Sequence, residues 1–230
     1  KKIINRNLNK SFIGVSIDSK SVKRENLFVA IKGKNNDGHD YIKQAILKGA
    51  SNCVISKNLN KISKNKVVKV SNTLNFLKKL AFLKRNYSNS KIIAVTGSSG
   101  KTTVKDIIGN LLKNFDDTYF SPRSFNNSFG VPLSLCNLEQ EHKYGVFEIG
   151  MSKKGEIDIL SKIVKPNIAI ITNIAEAHIE NFKNLSDIAK AKGEIIDNIS
   201  SSGSLIIDRD NKFYNYFKRK ADKRKVNTVS

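Results

Sequence analysis

The pattern that most restricts the fold is an alternation. From residue 92 to residue 229, strand-like runs (92–95, 117–120, 145–149, 167–172, 204–207 and 225–229), several of them rich in Ile and Val, are separated by segments with helical spacing of apolar residues (101–113, 130–138, 155–164, 185–199 and 210–221). Parallel strands need a long crossover, and an amphipathic helix supplies one, so the alternation predicts an α/β domain with a doubly wound, mostly parallel sheet. Ligands of such sheets sit outside the carboxyl ends of the strands, which makes the residues just past each strand the informative ones.

The first of those ends, Ile92-Ile93-Ala94-Val95-Thr96-Gly97-Ser98-Ser99-Gly100-Lys101-Thr102-Thr103, reads as strand, phosphate loop and helix. Gly97 and Gly100 let the backbone turn close to a ligand, and a helix starting near Lys101 aims free N–H groups at an anion. Thr96, Gly97, Ser98, Ser99, Gly100, Lys101, Thr102 and Thr103 are thus the candidate cradle for a nucleotide phosphate. A strict phosphate loop has Gly where this chain has Val95, so the match covers only its Gly-Lys-Thr half. An ordinary βα turn rich in Gly and Ser is the competing reading.

Later strand ends add chemistry to the same edge. The apolar run 144–149 carries a single carboxylate, Glu148. Burying it is costly without a partner, and beside a nucleotide that partner is magnesium, which the Thr102 hydroxyl would also ligate. A salt-bridged acid is the plainer alternative. His178 follows the strand at 167–172, and Lys192 lies between Ala191 and Gly193, small neighbours that leave room at its tip. The polar loop 126–132, which contains Asn127, ends in Gly130-Val131-Pro132; it reads either as a site loop or as a turn feeding a proline-started helix.

Residues 11–70 read as a smaller mixed α/β unit, with short strands at 12–17, 27–31, 52–55 and 67–70 and one helix over 39–49 that buries Tyr41, Ile42, Ala45 and Ile46 and ends at Gly49. Two polar loops, Asp18-Ser19-Lys20 and 33–40, are where such a unit would read a ligand. The second holds Asp37-Gly38-His39-Asp40, which is also what a capped helix start looks like. An amphipathic helix over 73–87 leads to Ser88-Asn89-Ser90, so the domains are expected at 1–87 and 88–230.

The formal net charge of +21 raises nucleic acid as a partner. The basic residues are scattered through every segment rather than set among stacking aromatics, so no nucleic acid is expected. Cys53 and Cys136, far apart and among apolar neighbours, read as buried free thiols in a reducing compartment. No apolar run reaches the roughly 20 residues of a membrane span. Lacking an initial Met and ending in a strand-like run, the chain reads as a fragment.

Taken together these residues resemble the Mur ligases, the ATP-dependent amide-bond ligases of peptidoglycan synthesis. The resemblance rests on Thr96-Gly97-Ser98-Ser99-Gly100-Lys101-Thr102-Thr103-Val104-Lys105-Asp106, the loop 126–132, Glu148-Ile149-Gly150 with Gly155-Glu156-Ile157, Thr172-Asn173-Ile174 running to Ala177-His178, and Ala191-Lys192-Gly193-Glu194-Ile195. It extends to Asp18-Ser19-Lys20, Leu27-Phe28-Val29-Ala30-Ile31-Lys32-Gly33 and Asp37-Gly38-His39-Asp40. The looser phosphate loop is that family's form. Lys20 departs from the usual Arg and Ile179 from the usual Leu.

What the resemblance implies is specific. The fold would be a substrate domain holding a UDP-sugar through Ser19, Lys20, Asp37 and His39, followed by a central ATP-binding domain incomplete at its C-terminus. ATP and two Mg²⁺ ions would be used, with Thr102, Glu148 and His178 as metal ligands and Lys101, Lys192, His178 and Asn127 as catalytic residues. Lys192 matches a position that many of these ligases carbamylate. The motifs look most like those of members that join D-alanyl-D-alanine to UDP-MurNAc-tripeptide through an acyl phosphate, in the bacterial cytoplasm and as a monomer. Members that add a single amino acid, or a phosphate-loop ATPase that binds nucleic acid, are the alternatives. Without the family's closing third domain, residues 1–230 alone are expected to be inactive.

Overall fold

The computed structural model describes residues 11–59, 62–176 and 179–230. The chain divides into two compact units between Ala81 and Phe82. In the first, β1 (Val15–Ser16), β2 (Leu27–Val29), α1 (Ile42–Leu47), β3 (Asn52–Ile55) and β4 (Val67–Lys69) make a parallel sheet in the order β1-β2-β3-β4. Phe28, Ala30, Cys53 and Ile55 from the sheet side pack with Ile42 and Ala45 of α1.

The expected helix over 39–49 is two elements. A 3₁₀ turn at Gly38–Tyr41 precedes α1, and its tighter winding rotates Tyr41 off the buried face, to 42% exposure, while Ile42 and Ala45 stay buried. The far end closes at Gly49 as expected: Gly49 N–H donates to Ile46 O and Ala50 N–H to Ala45 O, the paired bonds that satisfy the last carbonyls of a helix.

The division between the units falls inside α2 (Thr73–Tyr87). The second unit then runs β5 (Lys91–Thr96), α3 (Lys101–Leu112), β6 (Thr118–Phe120), α4 (Gly130–Cys136), β7 (Tyr144–Glu148), α5 (Glu156–Val164), β8 (Ile168–Ile171), α6 (Leu185–Lys192), β9 (Ser204–Ile207), α7 (Tyr214–Lys223) and β10 (Asn227–Val229). All strand pairs are parallel and the order is β10-β9-β8-β5-β7-β6, so the connections leaving the neighbouring strands β5 and β8 run to opposite sides of the sheet, β5 toward β6 and β8 toward β9. That switch point is where an open α/β sheet receives a ligand.

Apolar spacing is what builds these layers. Ile93, Val95 and Val146 form one buried face, covered by Val104, Ile108 and Leu112 of α3. Each such side chain withdrawn from water contributes roughly 1.5–3 kcal/mol. The helix expected over 185–199 is α-helical only to Lys192 and continues as a 3₁₀ helix, Gly193–Asn198. The one expected from 210 begins at Tyr214, because the Asp208 and Asn211 side chains accept from Asp210 N–H and Phe213 N–H and hold the chain in turns. Both cysteines are free and buried, and burial pushes the Cys53 thiol up to about 12. Among the described residues no helix is long and apolar enough to cross a membrane.

The end of α5 is closed by a side chain from α2. The Arg85 guanidinium donates to Val164 O (2.7 Å), Lys165 O (2.9 Å) and Ser88 O (3.2 Å), placing positive charge where the helix dipole is negative. Replacing it as Arg85→Met keeps the bulk and loses the bonds. The expected result is a loss of roughly 2–3 kcal/mol in urea unfolding, with faster amide exchange confined to the C-terminal turn of α5; unchanged exchange there would refute the capping role.

Candidate functional site

Four residues, Gly97 to Gly100, join β5 to α3. Val95 is not part of this loop: it is fully buried in β5 opposite Glu148 of β7, and its carbonyl accepts from Ile149 N–H. The turn therefore starts two residues after the position where a strict phosphate loop needs glycine. Gly97 has φ +150°, and a Cβ there would lie 1.9 Å from Thr172 Oγ1. Gly100, at φ +75°, starts α3 without a side-chain cap, an arrangement that suits an anion at the first-turn N–H groups.

The loop is pinned from β8. Asn173 Oδ1 accepts from Ser98 N–H (3.1 Å) and Ser99 N–H (2.9 Å), and Asn173 Nδ2 donates to Ser99 Oγ (2.6 Å). Thr172 Oγ1 donates to Ser99 O. The Lys101 ammonium folds back onto Gly97 O (2.9 Å) and Ser98 O (3.2 Å); burial lowers its pKa, opposed by the nearby Glu148 charge. Thr96, fully buried at the end of β5, has an Oγ1 without a hydrogen-bond partner among the described residues.

Glu148 is 1% exposed, and both of its oxygens are taken. Thr102 Oγ1 donates to Oε2 (2.7 Å) and Asn126 Nδ2 to Oε1 (2.7 Å), while Ser124 Oγ lies 3.2 Å from Thr102 Oγ1. These are hard oxygen donors beside an anion cradle. Mg²⁺ is commonly held by one or two carboxylates together with substrate phosphates, and this set fits that mode. No cluster of three or more His, Cys, Asp or Glu suited to a metal occurs among the described residues.

Lys192, at the end of α6, is 3% exposed, and no described residue bonds or pairs with its ammonium. Burial, aided by the charge of Lys101, pushes it down to about 7. The turn behind it is locked to α5: the Glu194 carboxylate accepts from Gly155 N–H and Asp158 N–H, serving as a cap borrowed from another element.

In the first unit the expected ligand loops lie past the ends of β1 and β2. Ser19 is buried, with its hydroxyl donating to Gln44 Oε1 (2.7 Å), whereas Lys20 is exposed. His39 is buried with both ring nitrogens engaged: Nε2 accepts from Ser56 N–H (2.9 Å), so Nδ1 carries the proton and donates to Asp37 Oδ1 (2.5 Å). Burial pushes the Asp37 carboxyl upward, but the His39 N–H, the Lys57 ammonium (2.9 Å) and the His39 ring more than reverse this and hold it well below the usual carboxylate range. The loop after β2 is thus anchored by His39, with Asp37 as its more accessible partner, and Lys20 is the exposed charge of the loop after β1.

Residues 95–230 match the model of the Mur ligase middle domain, and residues 11–85 match that of the Mur ligase family catalytic domain. The chain belongs to the Mur ligase family. A relative within it, the UDP-N-acetylmuramoyl-tripeptide--D-alanyl-D-alanine ligase of Rickettsia prowazekii (strain Madrid E), is 44% identical over 201 residues, which cover 87% of this chain and 44% of that protein. A crystal structure of MurF from Acinetobacter baumannii matches with a TM-score of 0.85 at 31% identity, over 96% of this chain and 48% of that one. MurF ligase from Thermotoga maritima in complex with ADP matches with a TM-score of 0.78 at 33% identity, over 94% and 49%. The chain spans about half the length of these relatives.

Of the residues expected from the Mur ligase motifs, Thr96 to Thr103 and Glu148 converge on one strand edge. His178 lies outside the described residues. Asn127 turns away from the cluster: its Oδ1 accepts from Phe129 N–H and Gly130 N–H and caps α4, and the side chain that reaches Glu148 is that of Asn126. Ser124, Asn126 and Asn173 received no role from the sequence, although Asn173 follows a strand on the expected edge.

The Gly97 contact gives a direct test. A Gly97→Ala substitution must move either the loop or Thr172. The expected outcome is at least about a tenfold loss of ATP affinity by calorimetry, roughly 1.4 kcal/mol, while Ser99→Ala stays much closer to the parent. Equal affinity of Gly97→Ala and the parent would show that this loop does not cradle the nucleotide.

Proposed function

We propose that this chain carries the substrate and ATP-handling parts of a ligase that joins D-alanyl-D-alanine to UDP-MurNAc-tripeptide, acting as a monomer in the bacterial cytoplasm. The observation that carries the reading is Glu148, buried with Thr102 and Asn126 beside the uncapped start of α3. It is supported by what the similar proteins are named for. The domains would divide at 1–87 and 88–230, the first for the UDP-sugar and the second for ATP.

In this reading the terminal carboxylate of the tripeptide attacks the γ-phosphorus of ATP, the bond to the β–γ bridging oxygen breaks, and ADP leaves. The amine of D-alanyl-D-alanine then attacks the acyl carbon, phosphate departs, and the amine loses a proton. The chain's task is to position and neutralise. The first-turn N–H groups of α3 hold phosphate oxygens, and Lys101, released from the Gly97 and Ser98 carbonyls, meets the β- and γ-oxygens. Thr102 and Glu148 would hold Mg²⁺, which supplies charge neutralisation of the phosphates; His178 and Lys192 would serve a second ion. Lys20 and Asp37, with Ser19 and His39 shaping their loops, would serve the UDP end.

Lys192 suits carbamylation because its amine is buried, unpaired among the described residues and easily neutral. The neutral nitrogen attacks the carbon of CO₂, a C–N bond forms, and one proton is lost, which leaves a carboxylate. The protonated form has no lone pair for this, so CO₂ uptake at Lys192 rises as pH passes upward through about 7. A lysine at its ordinary value of about 10.4 would take up almost none there. The same shift makes stability rise with pH between those values, since the unfolded chain holds the proton longer.

Two measurements on the full-length protein test this. ATP turnover is expected to require UDP-MurNAc-tripeptide and D-alanyl-D-alanine together; turnover stimulated by DNA or RNA and indifferent to both would overturn the assignment. With ¹³C-labelled CO₂, a carbamate resonance is expected that grows from pH 6 to 8 and vanishes in Lys192→Ala, alongside a loss of ligation of about 100-fold. Full ligation by Lys192→Ala would remove the residue from the mechanism.

A further inference from the structure

We propose that Lys105 is a positioning residue: its buried ammonium sets residues 121–126 so that Ser124 and Asn126 meet Thr102 and Glu148. The proposal rests on reading the Glu148 cluster as the site of a metal-bound nucleotide. Lys105 lies in α3 one turn beyond Lys101 and is fully buried. Its Nζ donates to Ser121 O (2.7 Å) and Arg123 O (2.7 Å) and pairs with Asp106 Oδ1 (2.9 Å). An ammonium has three hydrogens, and three oxygens receive them.

The arrangement is more than filling. A buried lysine is expensive, and an apolar side chain of similar length would pack α3 against β6 without that cost. What the ammonium adds is a hold on both ends of one short step of backbone. At one end, Ser121 N–H donates to Val146 O, and Glu148 N–H donates to Ser121 Oγ (3.4 Å). At the other end, Arg123 has φ +50°, a left-handed conformation that a side chain of its size rarely adopts and that its surroundings must hold. Its carbonyl is one of the two that Lys105 binds. Ser124 follows, 3.2 Å from Thr102 Oγ1, and then Asn126, whose amide reaches Glu148 Oε1 while its carbonyl accepts from Gly150 N–H.

One helix thus serves the cluster twice. Thr102 approaches Glu148 directly, and Lys105, three residues on and on a neighbouring part of the same helix surface, aligns the segment that brings Asn126 to the other oxygen. Loss of the ammonium would free Arg123 to relax, and the two donors beyond it would lose their register.

The test uses the full-length protein, with Mn²⁺ and a non-hydrolysable ATP analogue as probes and electron paramagnetic resonance as readout. Lys105→Met is expected to fold cooperatively and to bind Mn²⁺ with the analogue about 10- to 100-fold more weakly, as substitutions behind metal ligands do. Ligation should fall mainly in kcat, with KM for the UDP-linked peptide little changed. Lys105→Ala supplies a second variant whose missing group can be returned from solution: propylammonium should restore Mn²⁺ binding, and 1-propanol of similar size should not. Binding by Lys105→Met within about twofold of the parent, or equal rescue by propanol, would reduce Lys105 to packing and overturn the proposal. Glu148→Gln separates the two claims: if it binds Mn²⁺ as the parent does, the reading of the site fails and this proposal fails with it.

Discussion

A carboxylate 1% exposed at the end of a central parallel strand must be satisfied by its surroundings, and the second unit is arranged to do so. Glu148 ends β7, next to β5, and its two oxygens draw on different elements: Thr102 from α3 and Asn126 from the connection between β6 and α4. Because β5 and β7 pair with Val95 opposite Glu148, the loop after β5 turns directly above the carboxylate's strand. This register explains why Val95 replaces the glycine of a strict phosphate loop. At that position the chain is still buried strand, and the turn needs freedom only at Gly97, where Thr172 leaves no room for a Cβ, and at Gly100, where φ is positive.

The alternation of strands and helices was legible because burial imposes the periods of 2 and 3.6 on the sequence, and burial is what most of residues 92–229 share. The rule of looking past each strand end also led to the edge where Thr102, Glu148 and the loop after β5 meet. Which of two adjacent polar residues faces the site was not legible. Asn126 and Asn127 are chemically identical, and only the start of α4, which takes the Asn127 side chain as a cap, assigns Glu148 to Asn126. Lys105 was hidden for a different reason. On an amphipathic helix a lysine reads as solvated, and its partners are backbone carbonyls 16 and 18 residues further on, which no side-chain pattern reveals. In the first unit, a histidine in a polar loop looks like a ligand group until Ser56 N–H is found on its Nε2.

That first unit shows how local charge can be prepared by neighbours. His39 is neutral at Nε2 and spends its proton on Asp37, and Lys57 takes the other carboxylate oxygen. The carboxyl is therefore ionised far below neutral pH, and its loop is held by bonds that do not depend on a ligand. Lys20, exposed on the loop after β1, is a compact point charge where Arg is usual in the family. It can attract a phosphate without the bidentate geometry of a guanidinium, so affinity at that point would come from charge more than from shape.

The loop after β5 is held by bonds to its own neighbours. Ser98 and Ser99 N–H donate to Asn173 Oδ1, and Lys101 spends its hydrogens on Gly97 and Ser98 carbonyls. The Asn173 bonds to Ser98 and Ser99 N–H are neutral contacts, whereas the same N–H groups meeting a phosphate oxygen would make charge-assisted bonds roughly twice as strong. These internal bonds keep the loop ordered, and in the proposed reading they would give way to phosphate oxygens. Gly100 gives the first turn of α3 no side-chain cap, and in the proposed reading that turn would be the initial anchor. In the proposed reading, a phosphate seated there would draw Lys101 off the loop carbonyls. Lys101 is half-buried, and the nearby Glu148 charge favours its ammonium against the effect of burial.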